Sequence, residues 1–370
     1  MKKHLIAAAV AGAFAVPAMA QVTVSGVLDL GVGTQETTAT GSAVFKNSNT
    51  GVSSRSTTSQ IVFRAAEDLG GGLKASGYLS QQVNSSGGVT DGALSKRDMW
   101  LALEGGFGEI KVGRFTPAFE TVSGSYSVTG TANSAGTADF FFGAGAASGT
   151  AAGPRSRFHD VGRGIASDQA GATTTNDSSI QYTLPAFGPV KVILGYANHS
   201  TDTSATTGKD ENNQLDLAVT YTAGPLSFGL GMADKSIKLE NSTSTRDVEL
   251  QSIGASYNLG AALVKVGYMT REQKVSTATT NEVDAEVMSV GVTVPLGATS
   301  IYANMLDGED KADGVTANKR DFEGFQIGAL YNLSKRTTAY FIMGENEYKA
   351  STAANTTKVE QMTLGLRHSF

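Results

Sequence analysis

The sequence of 370 residues contains no cysteine, only seven prolines and only four histidines. The lack of cysteine excludes disulfide bonds, thiolate metal ligands and a lipidated cysteine. The chain also lacks a glycine-rich phosphate-binding motif, so no cofactor is expected. After residue 20 no stretch approaches the ~20 consecutive apolar residues that a membrane-spanning helix needs, which excludes an α-helical membrane protein.

The N-terminal segment has the three parts of a secretory signal peptide. Lys2 and Lys3 form a basic start, residues 5–16 are an apolar run, and residues 18–20 read Ala-Met-Ala. We therefore predict a signal peptide over residues 1–20 and a mature chain over 21–370, with a buried N-terminal helix as the alternative. Without the two lysines the chain has 29 − 2 = 27 basic and 34 acidic residues, a formal charge of −7. This acidic balance argues against nucleic acid as a partner.

The mature chain is rich in glycine and alternates apolar with polar residues in short segments, which indicates β-strands. Seven tight turns alternate with polar connections that we predict as long aqueous loops over 34–55, 83–95, 198–212, 235–246, 271–284, 307–319 and 345–358. An even number of strands returns both ends of the chain to one side, as bacterial single-chain barrels require. Sixteen candidate strands begin near Val22, Ser56, Gly72, Lys96, Gly108, Ser178, Val190, Asn213, Leu226, Asp247, Leu263, Ala285, Thr299, Asp321, Thr337 and Val359.

Each candidate strand has one apolar face and one face of small or polar residues. In the last strand Met362, Leu364, Leu366 and the C-terminal Phe370 share the apolar face. Aromatic residues recur at one depth of this face, a few residues before a tight turn or at the chain end, as in the girdle of a membrane barrel. The other face is small and polar, which predicts a water-filled interior. The fold class predicted is all-β, a 16-stranded antiparallel transmembrane β-barrel. The aromatic residues of the girdle are Tyr182, Tyr221, Tyr257, Tyr331 and Phe370.

Several motifs are specific enough to suggest a family. The strongest is Glu-Asp-Leu-Gly-Gly-Gly-Leu-Lys-Ala at 67–75, supported by the segments 22–30, 106–114, 176–182, 331–337 and 367–370. The chain thereby resembles the general porins of Gram-negative bacteria, in particular the neisserial and β-proteobacterial trimeric type. The resemblance implies an outer-membrane homotrimer that passes ions and small hydrophilic solutes by diffusion and contacts membrane lipid and lipopolysaccharide. It also implies that Phe370 is the assembly signal for insertion.

The resemblance further implies a third external loop that folds into the barrel and narrows it. In this chain about 60 residues, from 116 to 177, separate the fifth and sixth predicted strands, which we interpret as an insertion rather than a miscounted hairpin. A constriction needs opposed charges, with carboxylates on the loop and cations on the wall. Alternation places Arg64, Lys74 and Lys111 inward, whereas Arg97 and Arg114 fall on the lipid-side parity. The expected constriction residues are Arg64, Lys74, Arg97, Lys111, Arg114, Glu120 and Asp139, and the cations predict a preference for anions.

Other readings of these residues remain open. Any one cation could be a solvated wall residue, and a second basic group, Arg155, Arg157, His159 and Arg163, could line a vestibule or bind lipopolysaccharide. The acidic segment 307–314 lacks the spacing of a calcium-binding EF-hand loop, so no metal is expected. A barrel phospholipase would need a catalytic histidine such as His199, but its neighbours Asn198 and Ser200 point to the other face of an extended chain. A plugged barrel acting as an adhesin or structural anchor is the third reading.

Overall fold

The computed structural model describes residues 21–40, 45–53, 59–83, 98–126, 176–204, 208–238, 245–276, 283–312, 319–350 and 356–370. They form one helix, α1 (Ala118–Tyr126), and seventeen strand segments. No helix among these residues has the length and hydropathy needed to cross a membrane. The strands are β1 (Gln21–Thr40), β2 (Phe45–Ser53), β3 (Gln60–Gly70), β4 (Leu73–Gln82), β5 (Met99–Gly105), β6 (Gly108–Phe115), β7 (Asn176–Thr183), β8 (Val190–Ser204), β9 (Gly208–Ala223), β10 (Leu226–Lys238), β11 (Thr245–Asn258), β12 (Leu263–Val275), β13 (Val283–Leu296), β14 (Thr299–Ala312), β15 (Lys319–Asn332), β16 (Thr337–Ala350) and β17 (Thr356–Ser369).

The strands form a closed antiparallel barrel. From β3 onward each strand pairs with the next along the chain, and β17 closes the barrel by pairing with β1. The other edge of β1 pairs with β3 through residues 21–27 and with β2 through residues 31–39. Because β2 and β3 lie end to end along the same edge of β1, they make one barrel strand in two pieces. The prediction of a 16-stranded antiparallel barrel is therefore confirmed.

The outer face of the barrel is apolar, as the alternation predicts. Leu364 and Met305 expose 64% and 66% of their surface, and Tyr257 and Tyr331, near the tight turns, expose 47% and 50%. Exposed apolar side chains in every other position suit a wall that faces lipid, with tyrosines at the lipid–water boundary. The seven tight turns join consecutive strands at one end of the barrel. Gly224, Gly260 and Gly297 in three of them have φ of +56°, +82° and +67°, values that glycine adopts without strain.

Where the structure describes them, the predicted long loops are largely wrong, because the strands continue past the apolar band; the predicted loop 83–95 lies outside the described residues except for residue 83. β8 extends to Ser204 and β9 begins at Gly208, inside the region predicted as a loop over 198–212. The predicted loop 34–55 contains β2, and the strand expected near Ser56 is β3, which begins at Gln60. Backbone pairing does not need apolar side chains, so hydropathy located the membrane boundary rather than the end of each strand.

The prediction of a small and polar inner face is wrong in part. On the inner parity Leu250, Met269, Leu306 and Phe322 are buried in one apolar cluster that also includes Phe119 of α1. Other inward aromatic rings lie against glycines of the next strand. An added Cβ at Gly328 would lie 2.4 Å from the ring of Tyr302, and one at Gly365 would lie 2.2 Å from the ring of Tyr340. Cross-strand glycines thus let large inward side chains lie flat on the wall. The paired residues are Tyr302 with Gly328, Tyr340 with Gly365 and Phe322 with Gly308.

Candidate pore constriction

The helix α1 lies inside the barrel, at the start of the long connection between β6 and β7. It begins directly after Pro117, a residue suited to the first turn of a helix, and contacts the inner faces of β8 to β12. Phe119 and Val122 are 1% and 0% exposed. Three wall glycines make room for this packing. An added Cβ at Gly229 or Gly254 would meet Tyr126, and one at Gly231 would meet Phe119 and Val122.

Both ends of α1 are bound to the wall by polar contacts. At the N-terminus the Ala118 amide donates a hydrogen bond of 2.6 Å to Oδ1 of Asp216, whose other oxygen accepts one of 3.1 Å from Gln214. At the C-terminus Nζ of Lys265 donates a hydrogen bond of 2.8 Å to the Ser125 carbonyl oxygen. An anion at the start and a cation at the end of a helix complement its dipole. These contacts fix α1 against one arc of the wall.

The hydroxyl groups of Tyr126 and Ser227 add a third contact between α1 and the wall. On its other side α1 presents Glu120 and Thr121, which are partly exposed, and Ser125, which is exposed. The structure therefore places one of the two predicted loop carboxylates, Glu120, on the first turn of a helix that is anchored within the lumen. Asp139 lies outside the described residues.

A row of cationic and aromatic side chains occupies a different arc of the inner wall, on β3 to β6. Arg64, Tyr78 and Trp100 are directly opposite one another on successive strands. The Arg64 guanidinium carbon lies 5.1 Å from the Tyr78 ring centre, and the Tyr78 and Trp100 rings are parallel within 2° with centres 5.3 Å apart. Nζ of Lys111 lies 5.5 Å from the Trp100 ring centre and 4.6 Å from that of Phe115. We call these five residues the cation–aromatic row.

The inward direction of the row follows from its neighbours. Phe63, Met99 and Leu101 alternate with its members along β3 and β5, and they expose 44%, 50% and 66% of their surface on the outside. In the described part of the chain no ion pair within 4 Å joins Arg64 or Lys111 to a carboxylate. The structure thus brings these two predicted cations together at the ends of an aromatic stack.

The other predicted wall cations have different places. Lys74 lies beside the tight turn after β3, and its Nζ is 3.9 Å from Oε2 of Glu104 on the neighbouring strand. Arg114 lies opposite Met99, next to an irregularity in the pairing of β6 with β7. Arg97 lies outside the described residues.

Among the lumen residues that sequence reasoning missed are Tyr78, Trp100 and Lys191. Lys191 lies on the inner parity of β8 with the buried Ile193. The alternation of Lys191 with Val190, Val192 and Leu194 was a sufficient signal. For Tyr78 and Trp100 the signal was their position between outward residues of β4 and β5, which strand alternation makes inward.

Several further predictions fall outside the described residues. These are the signal peptide 1–20, the basic group at 155–163 and the side chain of His199. In the segment 307–314 the described carboxylate of Glu309 is bound by two lysines, Lys311 at 2.7 Å and Lys319 at 2.6 Å. Among the described residues no group of three or more acidic or histidine side chains is placed to hold a metal ion.

The C-terminal Phe370 takes part in closing the barrel. Its amide and carbonyl exchange two hydrogen bonds of 3.1 Å with Gly26 of β1. Its ring lies against Gly26, where an added Cβ would be 2.4 Å from the ring edge. The last residue therefore extends the pairing of β17 with β1 by one step and covers the glycine opposite it.

Comparisons with known proteins agree with this architecture. Residues 7–351 match the sequence model of a family described as Gram-negative porin. The chain is 33% identical to outer membrane porin protein 32 of Delftia acidovorans over 263 residues, 71% of this chain and 67% of that protein. It is 40% identical to the major outer membrane protein P.IB of Neisseria meningitidis serogroup B over 114 residues, which span 34% of that protein.

Solved structures share the fold. An anion-selective porin from Comamonas acidovorans superposes with a TM-score of 0.71 at 22% identity, over 95% of this chain and all of that one. OmpT, an outer membrane protein of Vibrio cholerae, superposes with a TM-score of 0.66 at 16% identity, over 95% of this chain and 98% of that one. The extent of the family match and the identity to the Delftia porin settle the assignment, and this chain belongs to the family of Gram-negative porins.

Proposed function

We propose that this outer-membrane porin, a non-enzymatic channel for the passive diffusion of small hydrophilic solutes and ions, prefers anions. The observation that carries the proposal is the pair of cations in the cation–aromatic row. Arg64 and Lys111 face the lumen, and neither is neutralised by a described carboxylate within 4 Å. Fixed positive charge on a narrow wall raises the local concentration of anions and lowers that of cations.

The constriction, in this proposal, lies between the row and the opposing helix. Glu120 supplies a carboxylate on α1, and Arg64, Lys111 and Lys191 supply cations on the wall. Lys74 contributes less, because Glu104 offsets its charge at 3.9 Å. Of the remaining expected residues, Arg97, Arg114 and Asp139 stay proposals on sequence grounds alone.

The test is the reversal potential of the refolded protein in a planar bilayer across a salt gradient. We expect the reversal potential of the wild-type channel to have the sign that indicates anion preference. The Arg64→Gln/Lys111→Gln double variant should show a smaller preference for anions. Lys74→Gln is the matched control, since it removes an inward cation that already has a carboxylate partner. A cation-preferring wild-type channel at low salt would refute the proposal, as would an equal effect of the control and the double variant.

The proposal includes a homotrimer with its subunit contacts at β4 to β6. These strands have 10, 7 and 8 residues, whereas β8 to β17 have 13 to 16. A strand that crosses lipid needs about 9–11 residues. The outer surface here is an apolar groove around Gly77, lined by Phe63, Leu79, Met99, Leu101 and Val112. A short apolar wall is better covered by another subunit than by lipid.

Leu101→Ser and Leu215→Ser test the subunit contact. The two leucines expose 66% and 59% of their surface on distant arcs of the barrel. We expect Leu101→Ser to weaken the trimer in chemical cross-linking and analytical ultracentrifugation, and Leu215→Ser to leave it intact. A monomeric wild-type protein in mild detergent would contradict the trimer.

The remaining parts of the proposal concern export and the lipid boundary. Residues 1–20 direct secretion, and N-terminal sequencing of the mature protein should begin at Gln21. Lys349 and Lys358 on the outer parity of β16 and β17, bound by Glu323 at 2.8 Å and Glu345 at 3.0 Å, are the cations from which we propose contact with lipopolysaccharide phosphates. When both lysines are replaced by neutral residues, we expect less lipopolysaccharide to copurify with the protein.

A further inference from the structure

The cation–aromatic row differs from the other aromatic side chains of the inner wall. Tyr302 and Tyr340 are 1% and 2% exposed and lie over glycines, so their rings complete the wall itself. Tyr78 and Trp100 remain partly exposed. Packing of the barrel wall does not require two partly exposed rings between two cations, so this arrangement indicates a further role.

The geometry of the two rings gives them a common orientation. They are parallel within 2°, and a centre-to-centre distance of 5.3 Å is that of offset stacking rather than full overlap. Each ring therefore leaves part of its face uncovered by the other. Direct cross-strand pairing of Tyr78 with Trp100 fixes this arrangement in the backbone. The pair presents a flat apolar platform in a wet lumen.

A cationic side chain lies at each end of this pair of rings. Arg64 lies over the Tyr78 ring and Lys111 over the Trp100 ring, at 5.1 Å and 5.5 Å from the ring centres. Cation–π contact holds long, flexible side chains near the rings. Next to Trp100, the opposite position on β6 is Gly113, whose φ of +131° and close approach to the β5 backbone exclude a side chain. No side chain from that position covers the indole.

We propose that the row is a solute-binding subsite for planar aromatic carboxylates. The carboxylate draws the Arg64 guanidinium or the Lys111 ammonium off the ring that it lies over, and the solute ring takes the place of that cation on the face of Tyr78 or Trp100. The inference rests on the proposed anion-preferring channel and deepens it by naming a solute class. A small inorganic anion uses only the cations, and an aliphatic carboxylate lacks the flat face that the platform can contact. The subsite therefore distinguishes solutes of equal charge.

Trp100 is the single tryptophan of the chain, so its fluorescence reports directly on the platform. We would titrate the detergent-solubilised full chain with 4-nitrobenzoate, whose nitro group quenches indole emission on contact. We expect saturable quenching. Benzoate should reverse this quenching at a concentration about three- to tenfold lower than cyclohexanecarboxylate needs, because an aromatic pair contributes about this factor to affinity beyond the effect of buried area. Neutral 4-nitrobenzyl alcohol, the same quencher without charge, should quench only weakly and without saturation.

Variants assign the effect to the row. Tyr78→Leu and Arg64→Gln should each weaken benzoate competition at least about threefold. Lys74 is an inward cation outside the row, so Lys74→Gln should leave benzoate competition unchanged. Equal competition by benzoate and cyclohexanecarboxylate would overturn the aromatic preference. Equal quenching by the charged and neutral nitro compounds would overturn the role of the cations. Because the titration needs no ion flow, its failure is distinguishable from a failed anion preference, which the reversal potential measures.

Discussion

The packing of α1 on wall glycines allows a sharp test of how the lumen is built. In Gly254→Ala the added Cβ would lie 2.1 Å from Cβ of Tyr126 and 2.8 Å from its Cγ. Ordinary contact begins at 3.4 Å, so the two atoms must separate by 3.4 − 2.1 = 1.3 Å or more. Gly254 is held by pairing with both Gly229 and Gly267, so the wall resists this movement. The end of α1 must yield and shift toward the channel axis.

The cost of such overpacking is about 1–3 kcal/mol, enough to shift α1 without unfolding the barrel. Single-channel conductance in a planar bilayer and the thermal unfolding midpoint are the two measurements. We expect a lower or noisier conductance in Gly254→Ala with a modest fall in the midpoint. The matched control is Gly124→Ala, because an added Cβ at Gly124 on α1 meets no atom of the surrounding described residues within 4 Å.

Gly124→Ala should keep the wild-type conductance and stabilise α1 by up to about 1 kcal/mol, because alanine favours a helix over glycine. Gly229→Ala gives a second check, since its added Cβ would meet the Tyr126 ring edge at 2.4 Å. Tyr126→Ala in that background removes the ring and should restore the conductance. If Gly254→Ala conducts and unfolds like the wild type, α1 does not pack on this glycine and the reasoning is wrong.

Three further outcomes follow from single contacts. Asp216→Ala should destabilise the start of α1 by about 1–2 kcal/mol and increase the noise of the single-channel conductance. Asp216→Asn keeps a hydrogen-bond acceptor and should have a smaller effect. Equal conductance noise in the two variants would contradict an N-terminal cap. Tyr340→Phe removes the 2.7 Å hydrogen bond to the buried Asp29 carboxylate, and heat denaturation in detergent should show a loss of about 1.5–3 kcal/mol. Deletion of Phe370 removes two hydrogen bonds between β17 and β1 and should lower the yield of assembled barrel in the membrane; a wild-type yield would exclude Phe370 as the assembly signal.

Sequence alternation predicted the barrel well because the membrane imposes a strict period. Every second residue of Leu226–Lys238 from Leu226 to Met232 faces outward and is exposed, so strand, face and membrane boundary can be predicted from one pattern. The same pattern located Arg64 and Lys111 inside. It did not locate the strand ends, because residues such as those of 198–204 pair through backbone groups that carry no hydropathy signal.

The site was only partly predictable because its geometry depends on contacts between distant residues. Asp216 caps a helix 98 residues away, and nothing local to β9 distinguishes it from a solvated wall carboxylate. The glycines beneath α1 give the same inward pattern as glycines that face water, so sequence alone could not separate them. Trp100 carries no charge, so a constriction expected from opposed charges does not include it, although strand parity places its ring inside.

In the proposed anion-preferring channel, an acidic chain can select anions because the strand period decides on which face of the wall each charge lies. Along β10 to β17 most carboxylates above the apolar band continue the outward parity and project away from the channel; the inward Asp310 is an exception, and Arg320 binds it at 2.9 Å. At physiological salt the screening length is about 8 Å, and charges on the outside of the wall act weakly on an ion inside. Arg64 and Lys111 lie on the inner parity beside the path of the solute. At this short distance salt screens their electric field only weakly. In this proposal the sign of the ion selectivity is set by a few inward residues rather than by the formal charge of the chain. The outward carboxylates are Asp234, Asp247, Glu249, Glu272, Asp284, Glu286, Asp307, Glu309, Asp321, Glu323, Glu345, Glu347 and Glu360.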